Sequence, residues 1–549
     1  MTMKKIFILL CSLALPAFGS LPPEISGKIL YLIHKHETAK ALSCYLEEAK
    51  EPDFALLQQI GSRLIEEGAK SDDPETMIMT LFGAGISTSP DLLPALKKGI
   101  QSKELKHQLT ALNFLGKLHD DEADQLIQQA LSSPFLLTRL EAAYLLAEKS
   151  DGSVIDHLRS LIGKVPKEAK PLFAQIVSQV ETPEATHFFR ELLADSDERV
   201  RVEAIYEASK TKRDDLLPQI RALATHPDRA QQEGALVALG RFKDESSIPL
   251  FRKMANGPNQ LAAWYALNQL GETDVLPKIE QKAREGDLFA ISLLGEMEES
   301  KELLVDLIQS QDPNICLNAI IALVRQKDPH VAPCLKEILI HDKRDLGFAQ
   351  HFSPGKGFVA WKVVPMATPR AQTFPALSMQ THLLKEKILL ASLDLPEEKF
   401  LAIARRVFDT QQSELIPMLV ELLSNLRSEE AIALLKENQQ KAGAPLIRNY
   451  CNLALFRLDE KGPYEENLVR WAREEQGNEL IRFKESKGSE NLLHYVLTPE
   501  ETSQLLIQVF ETLASARSEA GITALLHAIA YGNPKNKYAL AGLLIRTAE

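Results

Sequence analysis

Between Leu105 and Ile340 the sequence repeats itself at a step of roughly thirty residues, a period that marks a stacked array of small units. Similar patterns begin near Leu105, Leu137, Ala169, Val200, Ala230, Gln260, Leu288 and Ile315. Each opens on an apolar run such as ALVALGRF, AAWYALNQLG, FAISLLGEM or LNAIIALVRQ, with apolar residues three and four apart, so one helical face is greasy. A turn rich in Asp, Glu, Gly or Pro follows, as in KDESS (Lys243 to Ser247) or KDP (Lys327 to Pro329). A second amphipathic run then closes the unit: IPLFRKMA, VLPKIEQKA, VAPCLKEILI. One such helix pair leaves an apolar face wet and cannot offset the conformational entropy of ordering itself. Stacking on a neighbour at each side buries that face, so the period predicts an all-α architecture in which no unit stands alone.

Composition agrees. Hydrophobic residues make up 45% and charged residues 25%, which places the 549-residue chain among folded proteins. That length is too great for one ordinary core, which again favours an extended array. Aromatics are only 6%, and a Leu- and Ala-rich chain suits helix interiors.

The first nineteen residues read differently. Lys4 and Lys5 precede an apolar run from Ile6 to Leu15, then Pro16 and Ala17-Phe18-Gly19. A basic start, a short apolar core and a small-residue site predict a cleaved secretory signal, residues 1–19, with Ser20 as the first mature residue. Leu10 before Cys11 argues against a lipoprotein acceptor. No later run is apolar enough to cross a membrane, so no integral segment is expected after cleavage. Loss of Lys4 and Lys5 takes the formal charge from −12 to −14, and an acidic chain repels nucleic acid and anionic lipid. Cys44, Cys316, Cys334 and Cys451 remain, too few for a disulfide-framed scaffold. Buried free thiols are expected, with a Cys316–Cys334 bridge as the alternative.

Outside the clear repeats, residues 20–104 read as an N-terminal helical cap with one degenerate repeat. Residues 341–378 interrupt the array: Gly and Pro punctuate HFSPGKGFVAWKVVPMATPRAQTFPALS, and Phe358 to Pro365 suits a short strand. Helices resume over 379–549 as looser pairs, Glu414 to Leu435, Leu446 to Glu474 and Ser503 to Tyr531. Gly477 to Pro499 is less regular, and Lys537 to Ile545 is expected to cap the end.

The units resemble HEAT repeats, especially the short variety found in phycobilin lyases and similar proteins. The residues that carry the likeness are Asp197-Glu198-Arg199-Val200-Arg201-Val202-Glu203-Ala204 and Ala235 through Pro249. It is strongest from about Leu105 to Ile340, weaker before, and uneven after Met379. The resemblance implies a right-handed α-α superhelix, a HEAT-like solenoid with an irregular interruption, whose second helices line the concave surface.

Catalytic signatures are sparse. The sequence holds no H-E-x-x-H, C-x-x-C, phosphate-binding G-x-x-x-x-G-K-[ST] or G-x-S-x-G, and Gly83-Ala84-Gly85 is too short for a dinucleotide fingerprint. The di-iron hydroxylase of the HEAT-type superfamily uses several His-Glu pairs, and here there is one, His36-Glu37. His34-Lys35-His36 reads as a solvated helix edge. His341, Asp342, Asp345 and His351 have no fixed geometry as a metal cluster. No cofactor or metal is expected.

Two features remain as candidate partner-binding sites. Arg159, Arg190, Arg221 and Arg252 stand 31 residues apart, each after an apolar residue of a second helix: HLRSL, FFREL, QIRAL, LFRKM. Glu280 and Lys336 hold the matching places further on. The ladder is either a positive stripe for an acidic partner segment or a register device, bonded to turn acids such as Asp151, Glu184, Asp215 and Asp244. The interruption supplies the second: Phe348, Phe352, Phe358, Trp361 and Phe374 are either partner anchors or packed back on neighbouring helices. These readings converge on a non-enzymatic, exported solenoid that binds a protein or peptide in the bacterial envelope, periplasmic or outer-envelope-associated. The alternatives are an enzyme or enzyme accessory of lyase type with a site near 341–378, and a factor secreted onto a host or neighbouring cell.

Overall fold

Local chemistry fixes where each helix pair starts, turns and stops. First helices open on an acidic cap: Asp197 accepts from the Arg199 amide at 2.9 Å, Asp228 from Gln231 at 2.9 Å, and Asp312 from Asn314 at 2.7 Å. They close on a left-handed residue, Ser150, Lys212, Lys243, Gly271 or Lys327. The amide after it reaches back five residues, as in Asp244 to the Leu239 carbonyl (3.0 Å) and Asp328 to Leu323 (3.1 Å). That is the Schellman arrangement, which satisfies carbonyls the helix leaves open. Second helices carry proline in their first turn, as at Pro218, Pro249 and Pro277, where its missing amide costs no bond.

The computed structural model describes residues 20–340, 345–367, 377–441, 443–482 and 500–548. The expected signal segment lies outside them, as does most of the irregular stretch before Pro499. Thirty α-helices and a single two-stranded sheet make up the described residues, so the fold is all-α and of HEAT-like solenoid type. Two compact units divide the chain.

The central unit takes its described residues almost wholly from Asp121–Gly462. First helices follow one another in chain order: Leu136–Glu148, Leu172–Val177, Glu198–Lys210, Arg229–Arg241 and Gln260–Gln269 side by side, then Leu288–Leu294 beside Pro313–Arg325, with the second helix Leu276–Arg284 joining the two groups. After the interruption, Leu377–Ala391 continues the row beside Pro313–Arg325. Second helices pair with them, among them Val154–Leu161, Pro183–Leu193, Leu217–Leu223 and Ile248–Met254. The interruption contains a β-hairpin, β1 (Leu346–Phe352) and β2 (Val359–Pro365), antiparallel with Phe348 opposite Val363 and Gln350 opposite Trp361. β2 falls where a strand is expected. β1 has no separate signal in the sequence.

The other unit joins residues 20–120 to Pro463–Arg482 and to residues 502–548. Its last helix, Asn536–Arg546, lies against both Phe54–Gly68 and Pro74–Ser87. Glycines make that approach close enough for backbone to touch backbone. A Cβ on Gly542 would stand 1.9 Å from the Gly83 carbonyl oxygen, and one on Gly61 would stand 2.6 Å from that of Ala541. The helix expected to cap the chain's end is thus wedged into the N-terminal helices. Lys537 bridges to Glu67 at 3.0 Å, and Lys535 to Glu75 at 2.6 Å.

Candidate functional site

The arginine ladder lies on the second helices, and most of it reaches into the next repeat. Arg221 makes two parallel bonds to the Asp244 carboxylate, 2.8 and 2.7 Å, across to the following turn. Arg252 reaches Glu272 at 2.7 Å, and Arg159 reaches Glu191 at 3.2 Å. Asp244 is buried and also accepts from Ser246 and Ser247. The Arg221 guanidinium holds its carboxyl well below the usual range, against the opposing pull of burial, with both serines assisting. Of the turn acids in the register reading, Asp244 is the one a ladder arginine engages. Asp215 is held by Arg213 and Thr186, and Asp151 by Gln128 and the Ser153 amide. Arg190 stands apart: it is exposed, ion-pairs with no carboxylate among the described residues, and meets only the Gln219 amide, 3.3 Å away once that amide is turned.

The aromatic candidates separate in the same way. Phe348, Phe358 and Trp361 are buried in the protein's own packing, Phe352 is 38% exposed, and Phe374 lies outside the described residues. The hairpin runs across the first helices, and its attachments follow it repeat by repeat. Asn318, buried on Pro313–Arg325, accepts from the Trp361 amide (2.8 Å) and donates to the Trp361 carbonyl (2.7 Å). One turn earlier, Asn314 accepts from the Val363 amide at 2.9 Å. On the opposite edge, Thr381 and Gln380 accept from the Phe348 and Gln350 amides at 2.8 and 2.7 Å. Both edges of this two-stranded sheet are therefore closed by side chains, which removes the open ladder that invites edge-to-edge pairing.

Further along, Phe289 stacks on His351 with ring centroids 5.2 Å apart, and Tyr265 meets Phe358 edge-on at 5.8 Å. At the tip, Lys356 adopts a left-handed backbone (φ 52°) and pairs with the buried Glu203. Glu207 and Glu233, also buried, lie beside it, and desolvation pushes both carboxyls above their usual range. Gly355 rests on Gly234: a Cβ on Gly355 would come within 2.4 Å of the Ala230 carbonyl oxygen, so side chains are excluded. Arg241 donates to the Gly357 carbonyl at 3.0 Å. The hairpin thus touches six successive first helices, from Glu198–Lys210 to Leu377–Ala391, and Arg229–Arg241 is buried nearly all round, not on one face.

Cys316 and Cys334 are free thiols, both half-buried. The Cys316 thiol faces the Ile308 carbonyl and borders a cavity of about 180 Å³ under Phe348. Of the acid and histidine cluster, His341 and Asp342 lie outside the described residues. No group of three potential metal ligands converges among those described. No described helix is long and apolar enough to cross a membrane.

A row of paired helices in which each repeat bonds to the next defines a helical-repeat solenoid. Over residues 186–268 the sequence matches the family model for HEAT repeats, so this span of the chain is built of HEAT repeats. No curated protein matches the sequence. Among solved structures, the karyopherin Kap121p bound to the extreme C-terminus of the protein phosphatase Cdc14p aligns with 90% of this chain and 61% of its own, at 12% identity and a TM-score of 0.33. Kap121p bound to Nup53p aligns over 95% and 63%, at 12% identity and 0.34. UNC-45 from Drosophila melanogaster aligns over 95% and 81%, at 12% identity and 0.20. The chain spans less than two thirds of the Kap121p chains it matches.

Proposed function

We propose that this protein is a non-enzymatic, exported binding or scaffolding solenoid of the bacterial envelope, and that it receives an acidic segment of a protein partner along its second helices. The observation that carries the reading is Arg190. Three arginines of the ladder are engaged by carboxylates of the next repeat, whereas Arg190, in the same row, is exposed with no carboxylate to answer it among the described residues. An exposed guanidinium in a fixed row of charges suits a carboxylate-bearing segment. The first-helix side is already filled by the hairpin over six repeats, which leaves the second helices as the accessible side of the array.

The test is a comparison of two single variants in a pull-down from envelope extract. Arg190→Ala is expected to weaken capture of an acidic partner without moving the thermal midpoint. Arg221→Ala is expected to lower the midpoint first. Equal capture by wild type and Arg190→Ala would end this reading, and turnover of a metabolite by the purified protein alone would favour an enzyme.

A further inference from the structure

We propose that the first-helix face between Glu203 and Thr381 is a binding site for an extended, lysine-bearing protein segment, and that the chain's own hairpin is its resident, displaceable occupant. This inference is independent of the arginine ladder and concerns the opposite helices.

The argument begins with how the hairpin is held. A lone two-stranded hairpin is marginal in water, so this one owes its order to the surface beneath it. Along both edges the seat is made by side chains bonding to backbone: Asn318 to both polar groups of Trp361, Asn314 to Val363, Thr381 to Phe348 and Gln380 to Gln350. Such bonds recognise an extended main chain whatever residues it carries, as in other modes of strand recognition.

Selectivity enters at the tip. Glu203 takes the Lys356 ammonium and a bond from Gln175 at 2.8 Å, and Glu207 and Glu233 add two more buried carboxylates. Lys210 pairs with Glu207 at 3.3 Å, Arg229 acts on Glu233 with Asp287 opposing it, and Arg241 bonds the Gly357 carbonyl, so Glu203 is the acid that takes Lys356. Lifting the hairpin would strip Glu203 of its cation and open this acid to water, so a segment that brings another ammonium to Glu203 is the fitting replacement. Gly234 completes the seat, because any side chain there would strike the passing backbone at 2.7 Å. The site therefore selects a turn with lysine at its apex and no bulk beside it.

The experiment uses the full chain and a fluorescent peptide with the sequence of residues 346–365. Wild-type chain, whose site is occupied, is expected to bind it at least ~10-fold more weakly than a Lys356→Glu chain, since apparent affinity scales with the fraction of open sites. A Glu203→Lys chain is expected to refuse that peptide and take one carrying Lys356→Glu. Folded variants that ignore both peptides would overturn the proposal. Amide exchange on wild type decides the matter should the variants not fold. The Trp361 and Val363 amides are expected to exchange at least ~100-fold faster than those of Ile320 and Leu323, as in a locally opening segment. Equal protection would show a hairpin that leaves only on global unfolding, and would refute displacement.

Discussion

Replacing Gly542 by alanine adds one methyl group where the closing helix touches backbone. The new Cβ would lie 1.9 Å from the Gly83 oxygen and 2.6 Å from its carbon, against 3.4 Å or more for ordinary contact. No rotamer relieves that clash, because the opposing atoms are main chain, so Asn536–Arg546 would have to lift from Pro74–Ser87 by about 1.5 Å. Overpacking of this kind costs about 1–3 kcal/mol or more, and the better helix propensity of alanine returns about 1. We expect a net loss of about 2 kcal/mol and a midpoint lowered by about 4–8 °C for a unit of this size. Gly27→Ala supplies the control. Gly27 sits inside Pro23–His34 with nothing within 4 Å of its new Cβ, so the same change there is expected to stabilise by about 0.5–1 kcal/mol. Thermal and urea unfolding followed by circular dichroism would measure both. A Gly542→Ala protein at least as stable as wild type would refute the account of how the chain's ends are joined.

Lys243→Gly should raise stability by about 1 kcal/mol, since φ 53° strains a side-chain-bearing residue, and calorimetry would show it. Arg221→Ala should lower the unfolding midpoint at neutral pH by stripping the paired bonds from buried Asp244. The Asp244 carboxyl is depressed in the fold, so its contribution is present above the unfolded value near 4 and fades as pH falls toward the depressed one. Unfolding midpoints of wild type and Arg221→Ala should therefore begin to converge below about pH 4 and keep closing as pH falls toward the depressed value. Glu67 follows the same sign: burial raises its carboxyl, but Lys537, His36 and Tyr538 outweigh that and hold it low. Glu67→Gln should then destabilise at pH 7 and matter little in acid. Mass spectrometry of protein from a bacterial envelope should find Ser20 at the N-terminus, and an intact Met1 would contradict the expected signal.

The repeat was readable because local signals recur with it: Asp at helix starts, proline at second-helix starts, and apolar residues three and four apart. The helix pairs of 105–340 needed no more than that. The seat of the hairpin was harder to read. Asn314 and Asn318 are one turn apart in the otherwise apolar PNICLNAIIALV, and that pairing is a signal for a backbone clamp, but the strand they clamp lies more than forty residues away. ALVALG, six consecutive apolar or small residues, also hinted at burial all round rather than on one face. Gly83-Ala84-Gly85 is the other case. The short-range pattern excludes a nucleotide loop, yet the missing side chains have separate causes: a Cβ on Gly83 would strike the Tyr538 carbonyl, arriving from the far end of the sequence, and one on Gly85 would strike the Phe114 ring.

The hairpin also sets the mechanics of the repeats beneath it. Stacked helix pairs yield by small rotations between neighbours, each too slight to break a contact. A paired strand is far less compliant, and seven residues of it reach about 20 Å with almost no stretch. Laid on Leu288–Leu294, Pro313–Arg325 and Leu377–Ala391, its strands act as a crossbar that converts a springy stretch into a stiff one. Bending imposed on the central unit must therefore be absorbed by repeats the crossbar does not span.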